Sequence, residues 1–191
     1  ENTSTSYGGA IENFENSTPA FANCVISNNS AFRGGAAANN GGSATYTNCT
    51  IVKNNATVDV ASGAFIELNN TTSHYKNCII WNNTTGDFIT QAGSISNVSY
   101  SVTQTTQTGT SNLSTNPQLV DINDGNGADD KWFTSDDGFK ISLISNCGST
   151  GDNTAIPFYI TGDILNNARI LQVTVDRGAY EVDGANASDL A

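Results

Sequence analysis

The dipeptide Asn-Cys occurs three times, at Asn23-Cys24, Asn48-Cys49 and Asn77-Cys78, with Cys-to-Cys spacings of 25 and 29. A glycine-alanine element precedes each one: Gly8-Gly9-Ala10-Ile11, Gly34-Gly35-Ala36-Ala37 and the degenerate Ser62-Gly63-Ala64-Phe65. The separation from Gly9 to Cys24 equals that from Gly63 to Cys78, and Gly35 to Cys49 is shorter by a single position. Each Cys is followed by an apolar pair and an Asn pair: Val25-Ile26 with Asn28-Asn29, Ile51-Val52 with Asn54-Asn55, Ile79-Ile80 with Asn82-Asn83. Biased composition would repeat the Asn, but it would not repeat the Cys in step with it.

A repeat of about 25 residues fits one coil of a solenoid. Helical repeats need amphipathic runs of helix formers, and the chain has none. Its runs are short, rich in Val, Ile, Thr, Phe and Tyr, and bounded by Asn, Gly and Ser, which is strand and turn chemistry. The expected fold is therefore all-β, a right-handed parallel β-helix (a solenoid) with a C-terminal capping segment. Asn and Gly tolerate left-handed backbone at the corners, and Asn side chains can bond from coil to coil.

The pattern resembles the right-handed parallel β-helix repeats of bacterial surface proteins. It is especially similar to the GGA[I/L/V] plus FxxN repeats of polymorphic outer-membrane proteins and related Bacteroidota surface proteins. The second half of that motif reads here as Val25-Ile26-Ser27-Asn28, Ile51-Val52-Lys53-Asn54 and Ile79-Ile80-Trp81-Asn82, with the family's Phe missing. The resemblance covers roughly Tyr7 to Gln104. A fourth, degenerate coil is expected where Tyr100-Ser101-Val102 takes the slot of Asn-Cys-Ile, close to one repeat after Cys78.

Residues 1–115 are thus read as coils, and 116–191 as a cap with an acidic loop, part of the same module. Asn116-Pro117-Gln118-Leu119-Val120-Asp121 resembles the "DPLFVD" element that ends many bacterial β-helix modules. Thr134-Ser135-Asp136-Asp137-Gly138-Phe139 resembles their "TxDDGL", and Asp163-Ile164-Leu165-Asn166-Asn167-Ala168-Arg169-Ile170 is similar to "DLxGNxRI". Val175-Asp176-Arg177-Gly178-Ala179-Tyr180-Glu181 resembles the closing "VDxGAYE". The resemblance implies a fold and a location outside the cell, and no particular activity. An open coil end exposes strand edges and apolar core. Trp132, Phe133, Phe139, Phe158, Tyr159 and Tyr180 are expected to cover the last coil. No similar cap precedes Tyr7, so self-association through an N-terminal edge containing Ile11, Phe21 and Val25 is expected, or continuation into a longer helix.

Charge narrows the partners. Lys plus Arg is 7 against 18 Asp plus Glu, a formal net charge of -11. Nucleic acid is disfavoured as a partner, because its binding neutralises phosphates with Lys and Arg. Anionic lipid and acidic polysaccharide meet the same repulsion. No apolar run reaches the ~18 residues of a membrane span, so no membrane insertion is expected. No charged n-region followed by an apolar h-region opens the sequence, which suggests a mature protein or a fragment. Asn, Thr and Ser number 26, 23 and 19 of the 191 residues, which suits broad hydrogen-bonding strand faces.

Several residues are candidates for chemistry. Cys24, Cys49 and Cys78 are expected to form an inward column of free thiols, since parallel in-register side chains give poor disulfide geometry. Without a CxxC pair or nearby His, metal at that column is disfavoured. Cys147 is expected to be a core thiol. The only histidine, His74, has no nucleophile partner visible in Ser73 or Tyr75. A polysaccharide hydrolase of this fold would need paired carboxylates, and the coils offer Glu12, Glu15, Asp59, Glu67 and Asp87. Glu12 is third after Gly9 but Glu67 fourth after Gly63, and a one-residue offset flips a side chain to the other face. A lyase would draw on Arg33, Lys53 or Lys76 as its base.

The strongest candidate site is the stretch Asp121-Ile122-Asn123-Asp124-Gly125-Asn126-Gly127-Ala128-Asp129-Asp130, with Asp136 and Asp137 nearby. Calcium takes six to eight oxygens from carboxylates, Asn and backbone carbonyls. The expectation is a structural calcium ion held by Asp121, Asn123, Asp124, Asn126, Asp129, Asp130, Asp136 and Asp137. The alternative is a solvated acidic loop.

The function expected from the sequence is a non-catalytic extracellular structural or adhesive β-helix module of a bacterial surface or secreted protein, with protein or glycan surface ligands. Two alternatives stand beside it: a subunit stacked end to end into an extracellular filament, and a polysaccharide lyase or glycoside hydrolase.

Overall fold

The structure is a computed structural model that describes residues 1–58, 63–91 and 93–184. Asp59 and Ser62, named above, lie outside the described residues.

The chain winds as a parallel β-solenoid. Each coil contributes one strand to each of three stacked sheets. The first sheet holds β1 (Ile11–Phe14), β5 (Ala37–Asn40), β9 (Phe65–Leu68) and β12 (Phe88–Thr90). The second holds β2 (Ala20–Ala22), β6 (Thr45–Thr47), β10 (Thr72–Lys76) and β13 (Ile95–Ser99). The third holds β3 (Val25–Ser27), β7 (Thr50–Val52), β11 (Ile79–Trp81) and β14 (Val102–Thr103). A short pair, β4 (Ser30–Ala31) with β8 (Asn55–Ala56), closes the first two coils. Every strand pair is parallel. Among the described residues the only helical element is a 3-10 turn, Asn153–Ala155.

The repeated Asn takes the corner. Asn23, Asn48 and Asn77 have φ of 52°, 51° and 53°, and Tyr100 follows at 49°. This left-handed region costs most L-residues about 1–2 kcal/mol, and Asn tolerates it best after Gly. The residue after each corner points inward. Cys24, Cys49 and Cys78 are free thiols. Each Sγ donates to the carbonyl two residues back, on Ala22, Thr47 and Lys76, at 3.2–3.4 Å. Ser101 completes the column, its Oγ donating to Ser99 O at 2.9 Å. The fourth coil therefore follows the same local rule with Tyr and Ser in place of Asn and Cys.

The glycine of each Gly-Ala element is fixed by close approach. A Cβ on Gly9 would overlap Gly35 O, one on Gly35 the backbone of Asn55, and one on Gly63 the carbonyl of Thr84. Adjacent coils cross at these points with no room for a side chain.

Inside, side chains stack in columns at the ~4.8 Å rung repeat. Phe21, Tyr46 and Tyr75 lie ring on ring, with centroids 4.9 and 5.1 Å apart, and Phe65 stacks on Phe88 at 5.5 Å. An asparagine ladder runs alongside. Asn29 N and Nδ2 both donate to Asn54 Oδ1, at 3.1 and 3.0 Å, and Asn54 repeats this with Asn83 Oδ1 at 2.9 and 3.0 Å. Asn2 joins through Asn29 Oδ1.

The ladder corrects the sequence register by one residue in the second coil. Asn54 aligns with Asn29 and Asn83, so Lys53 falls with Asn28 and Asn82 at a second left-handed corner (φ 56°, 58° and 52° for Asn28, Lys53 and Asn82). Val25, Thr50, Ile79 and Val102 share one row and Ile26, Ile51, Ile80 and Thr103 the next. The path from each Cys to its ladder asparagine is the same in all three coils, Cys24 to Asn29, Cys49 to Asn54 and Cys78 to Asn83; the second Asn pair simply sits one position later, with Lys53 at the corner.

The third sheet is apolar on both faces, as parallel strands buried on both sides are. Ile26, Ile51 and Ile80 face the lumen. Val52, Ile79 and Val102 instead pack outward against Phe139, Ile141, Cys147, Ala179 and Tyr180 of the C-terminal half. That half runs along the flank of the solenoid rather than sitting only on its last coil. Asn23 Nδ2 donates to Gly162 O at 2.6 Å, Asn48 Nδ2 to Asp176 O at 3.2 Å and Asn77 Nδ2 to Asp152 O at 2.9 Å. Ser101 O accepts from Arg177 Nη1 at 3.3 Å. Every coil is thus held at its corner or, in the fourth, at the residue after it. Leu113 forms a further parallel bridge over Val102. The aromatic residues divide accordingly: Phe139 and Tyr180 are buried in the flank, whereas Phe158 is 95% exposed and Tyr159 and Phe133 are also exposed.

Candidate functional site

The flank segment is organised around ionic groups that the solenoid corners cannot pair by themselves. Arg169 is 2% exposed and lies 2.9 Å from Glu181 Oε1. Its guanidinium also donates to Ala179 O, Asp176 O and Gly178 O at 2.9–3.1 Å, and to Asn23 Oδ1 at 3.3 Å. Asp163 accepts from Leu165 N, Asn167 N and Glu181 N, each at 2.8 Å. Asp176 accepts from Ser149 N at 2.6 Å and Val182 N at 2.8 Å. Burial lowers the Arg169 pKa, with the three carboxylates Glu181, Asp163 and Asp176 opposing the shift. Burial likewise raises Asp176 and Glu181 above the usual carboxylate range, with Arg169 among the groups opposing it. Glu181 also borders a depression of about 400 Å³ shared with Ser135, Lys140 and Asn167. Its carboxylate is nonetheless committed to Arg169 and to Asp176 N, so the cluster knits loop to loop.

The acidic stretch makes turns. Asp121 Oδ1 accepts from Asn123 N and Asp129 Oδ1 from Lys131 N, both at 2.8 Å. Asp136 accepts from Thr134 Oγ1 at 2.7 Å and Asp129 N at 3.2 Å, and the Thr134 hydroxyl holds its pKa down. Asp137 is buried, accepting from Tyr180 OH at 2.8 Å and Phe133 N at 3.0 Å. Asp124 and Asp130 are exposed. Among the described residues no three His, Cys, Asp or Glu side chains gather closely enough to hold a metal ion. The eight residues read as a calcium shell share one loop; the carboxylates of Asp129, Asp136 and Asp137 lie within 3.5 Å of the one Thr134 hydroxyl, while Asp121 is turned to Asn123 N.

The coil carboxylates fall on opposite faces, as the parity of their spacing requires. Glu12 pairs with Ala38 and is exposed, whereas Glu67 shares the inward row of Asn13 and Asn39. Glu67 is fully buried in the lumen. It accepts from Asn39 Nδ2 at 2.9 Å, from Ser73 Oγ at 2.9 Å and from the Tyr75 hydroxyl. Asn13 Nδ2 extends the network to Asn39 Oδ1. Burial raises the Glu67 pKa, and the three donors partly offset that. Asp87 is also buried; it accepts from Thr105 N and Oγ1 at 2.9 and 3.0 Å, and burial raises its pKa too. Glu15 and the half-buried His74 lie elsewhere on the outside, while Ser73 and Tyr75 on either side of His74 turn inward to Glu67.

Two other clefts on the outer surface are lined by coil residues. A groove of about 310 Å³ lies on the second sheet beside His74, Lys76, Asn97, Ser99 and Thr108. A larger depression lies where the acidic loop meets the corner after the third sheet. One part, about 400 Å³, is lined by Ser27, Asn28, Lys53, Asn123, Asn126 and Trp132. An adjoining part, about 270 Å³, shares Ser27 and Trp132 and adds Val25, Ile26 and Phe133. Trp132 is 39% exposed and rests on buried Phe139, ring centroids 5.6 Å apart.

No protein-family model, no curated protein and no solved structure matches this chain.

The sequence pointed to the carboxylates of the acidic loop and not to the cleft. The walls of the cleft come from Asn28 and Trp132, in opposite halves of the chain, which only the flank packing brings together. The one available signal was an aromatic pair, Trp132-Phe133, set among acids and glycines, and it reads equally well as part of a cap.

Proposed function

We propose that this chain is a rigid, non-catalytic β-solenoid module that works outside the cell as a structural or adhesive element of a larger surface or secreted assembly. The observation that carries this reading is the flank clasp. The corner residues Asn23, Asn48 and Asn77, and in the fourth coil Ser101 next to the Tyr100 corner, each bond the C-terminal half. Repeat proteins are held mainly by neighbour contacts, and each coil depends on the next. A strap across every coil removes that weakness and makes a stiff rod, which is what a scaffold requires. The burial of Glu67 and Asp87, with Glu67 committed to internal donors and Asp87 bonded to Thr105 through one oxygen, supports a binding role over acid-base chemistry. The extracellular location rests on the resemblance of the repeat and the flank segments to bacterial surface modules.

The test is a screen of the purified chain against immobilised neutral and uronate-bearing glycans and matrix proteins, with release of new chain ends measured in parallel. Retention without new ends is the expected result. Release of new ends, abolished by changing Glu12, Glu67 or His74, would replace this reading with an enzyme.

A second reading, end-to-end association, is favoured by one observation. β1 and β2 are edge strands of their sheets, above half-buried Ile11 and Phe21. Such an edge is a template for another strand, and a heterologous contact of that kind grows unless it closes a ring. Light scattering that shows growth in the parent and none in Ile11→Lys would support it.

A further inference from the structure

We propose that the cleft between the Asn28–Lys53 corner and the Trp132 loop binds an uncharged oligosaccharide, which rests on the adhesive reading above and gives it a site and a ligand class. The wall is chemically mixed in the way a sugar requires. Trp132 lines both parts of the depression, and its ring packs against buried Phe139 at a tilt of 45°. A rigid aromatic face suits the C–H face of a pyranose, and it loses little conformational entropy on binding. Around it stand Asn28, Asn123 and Asn126 with Ser27. Amides and hydroxyls both donate and accept, matching sugar hydroxyls, which do the same.

Charge selects the class of sugar. The lining carries one acid and one base, Glu1 and Lys53, so it has no net charge of its own. The chain as a whole is strongly acidic, which repels uronates and sulfated glycans. Among the described residues no arginine fork lines the cleft for bidentate capture of a carboxylate or phosphate. An apolar peptide anchor would need a deep dry pocket, whereas the larger part of this depression is walled by amides and hydroxyls. The geometry of the rungs adds a direction. Asn28, Lys53 and Asn82 occupy successive corners, about 4.8 Å apart. Asn28 and Lys53 both line the cleft, so it runs along the solenoid axis and suits an extended chain over a single compact sugar.

The experiment is a titration of the whole chain with hexamers of β-linked glucose, mannose, xylose and N-acetylglucosamine, followed by calorimetry and by intrinsic Trp fluorescence. Saturable binding of at least one hexamer is expected. Trp132→Ala should weaken it at least tenfold, Trp132→Phe by less, and Asn126→Ala by several-fold, with melting temperatures close to the parent for each. Binding that Trp132→Ala and Asn126→Ala leave intact would overturn this site while leaving the adhesive reading in place. Binding of none of the four, or only of a polyuronate, would overturn the neutral-glycan assignment. Cleavage of a hexamer would instead overturn the non-catalytic reading on which the proposal rests.

Discussion

Asn77 and Asp152, seventy-five residues apart, exchange two hydrogen bonds: Asn77 Nδ2 donates to Asp152 O at 2.9 Å, and Asp152 N donates to Asn77 Oδ1 at 2.8 Å. The same asparagine makes the left-handed corner before Cys78. One residue thus turns the coil inward and fastens the flank outward.

Two substitutions separate those roles. Asn77→Gly keeps the corner and loses the bonds, leaving Asp152 groups unpaired, at about 1–3 kcal/mol. Asn77→Ala loses the bonds and strains the corner, adding about 1 kcal/mol. Urea unfolding should therefore rank parent above Gly above Ala; Ala equal to the parent would contradict both roles.

Glu67 gives a pH signature. Burial raises its pKa in the folded state. Its contribution to stability is therefore full below the unfolded value, about 4.3, and is lost as pH rises through the folded value. Glu67→Gln can keep bonds to Asn39, Tyr75 and Ser73 without a charge to bury. Its melting temperature should approach that of the parent in acid and exceed it by a margin that grows as pH rises from the unfolded to the folded pKa and is constant above it. A constant difference from acid to neutral pH would show that Glu67 does not titrate differently on folding.

The thiols should be quiet. The Cys24 pKa is raised by the Cys49 thiol beside it and by burial, Cys49 by burial, and Cys147 is pushed up to about 11, again by burial. Since the thiolate is the reactive form, a thiol reagent should label the native chain slowly, Cys24 first because it is only half-buried, and label four Cys after denaturation. Cys49→Ser should cost no more than about 1 kcal/mol, because Ser101 already makes the same bond in the fourth coil. Rapid native labelling of Cys49 or Cys78 would contradict the sealed column.

In the acidic loop, Asp121, Asp129, Asp136 and Asp137 already accept hydrogen bonds from within the C-terminal half, and on that ground we expect its turns to hold without a cation. Removing divalent ions with EDTA should leave the melting temperature unchanged. A rise of several degrees with added calcium would show that these carboxylates regroup around the ion.

The coil was legible because Asn, Cys and Gly each answer a local requirement: a left-handed corner, a small inward group and a coil crossing. Ser101 was legible as the end of the Cys column for the same reason. The opposed faces of Glu12 and Glu67 followed from counting residues. What lay beyond the sequence was long-range. The apolar pairs marked two buried faces of the third sheet, but nothing local says that Phe139 and Tyr180 cover its outer one. Arg169 and Glu181 sat in separate motifs whose spacing does not predict a buried ion pair. The Trp132 cleft depends on where the flank crosses the first two coils.

The most direct test of the account is native-state hydrogen exchange on the intact chain. Thr50 N, bonded to Cys24 O inside the coils, and Gly178 N, bonded to Asn77 O across the clasp, should exchange with the same free energy and respond alike to urea, because coils and flank unfold as one unit. Arg169→Met, which strands Glu181 in the buried clasp, should lower both together. Exchange of residues 150–181 at much lower free energy than β7 and β11, with the coils still protected, would contradict the clasp and the rigid module built on it.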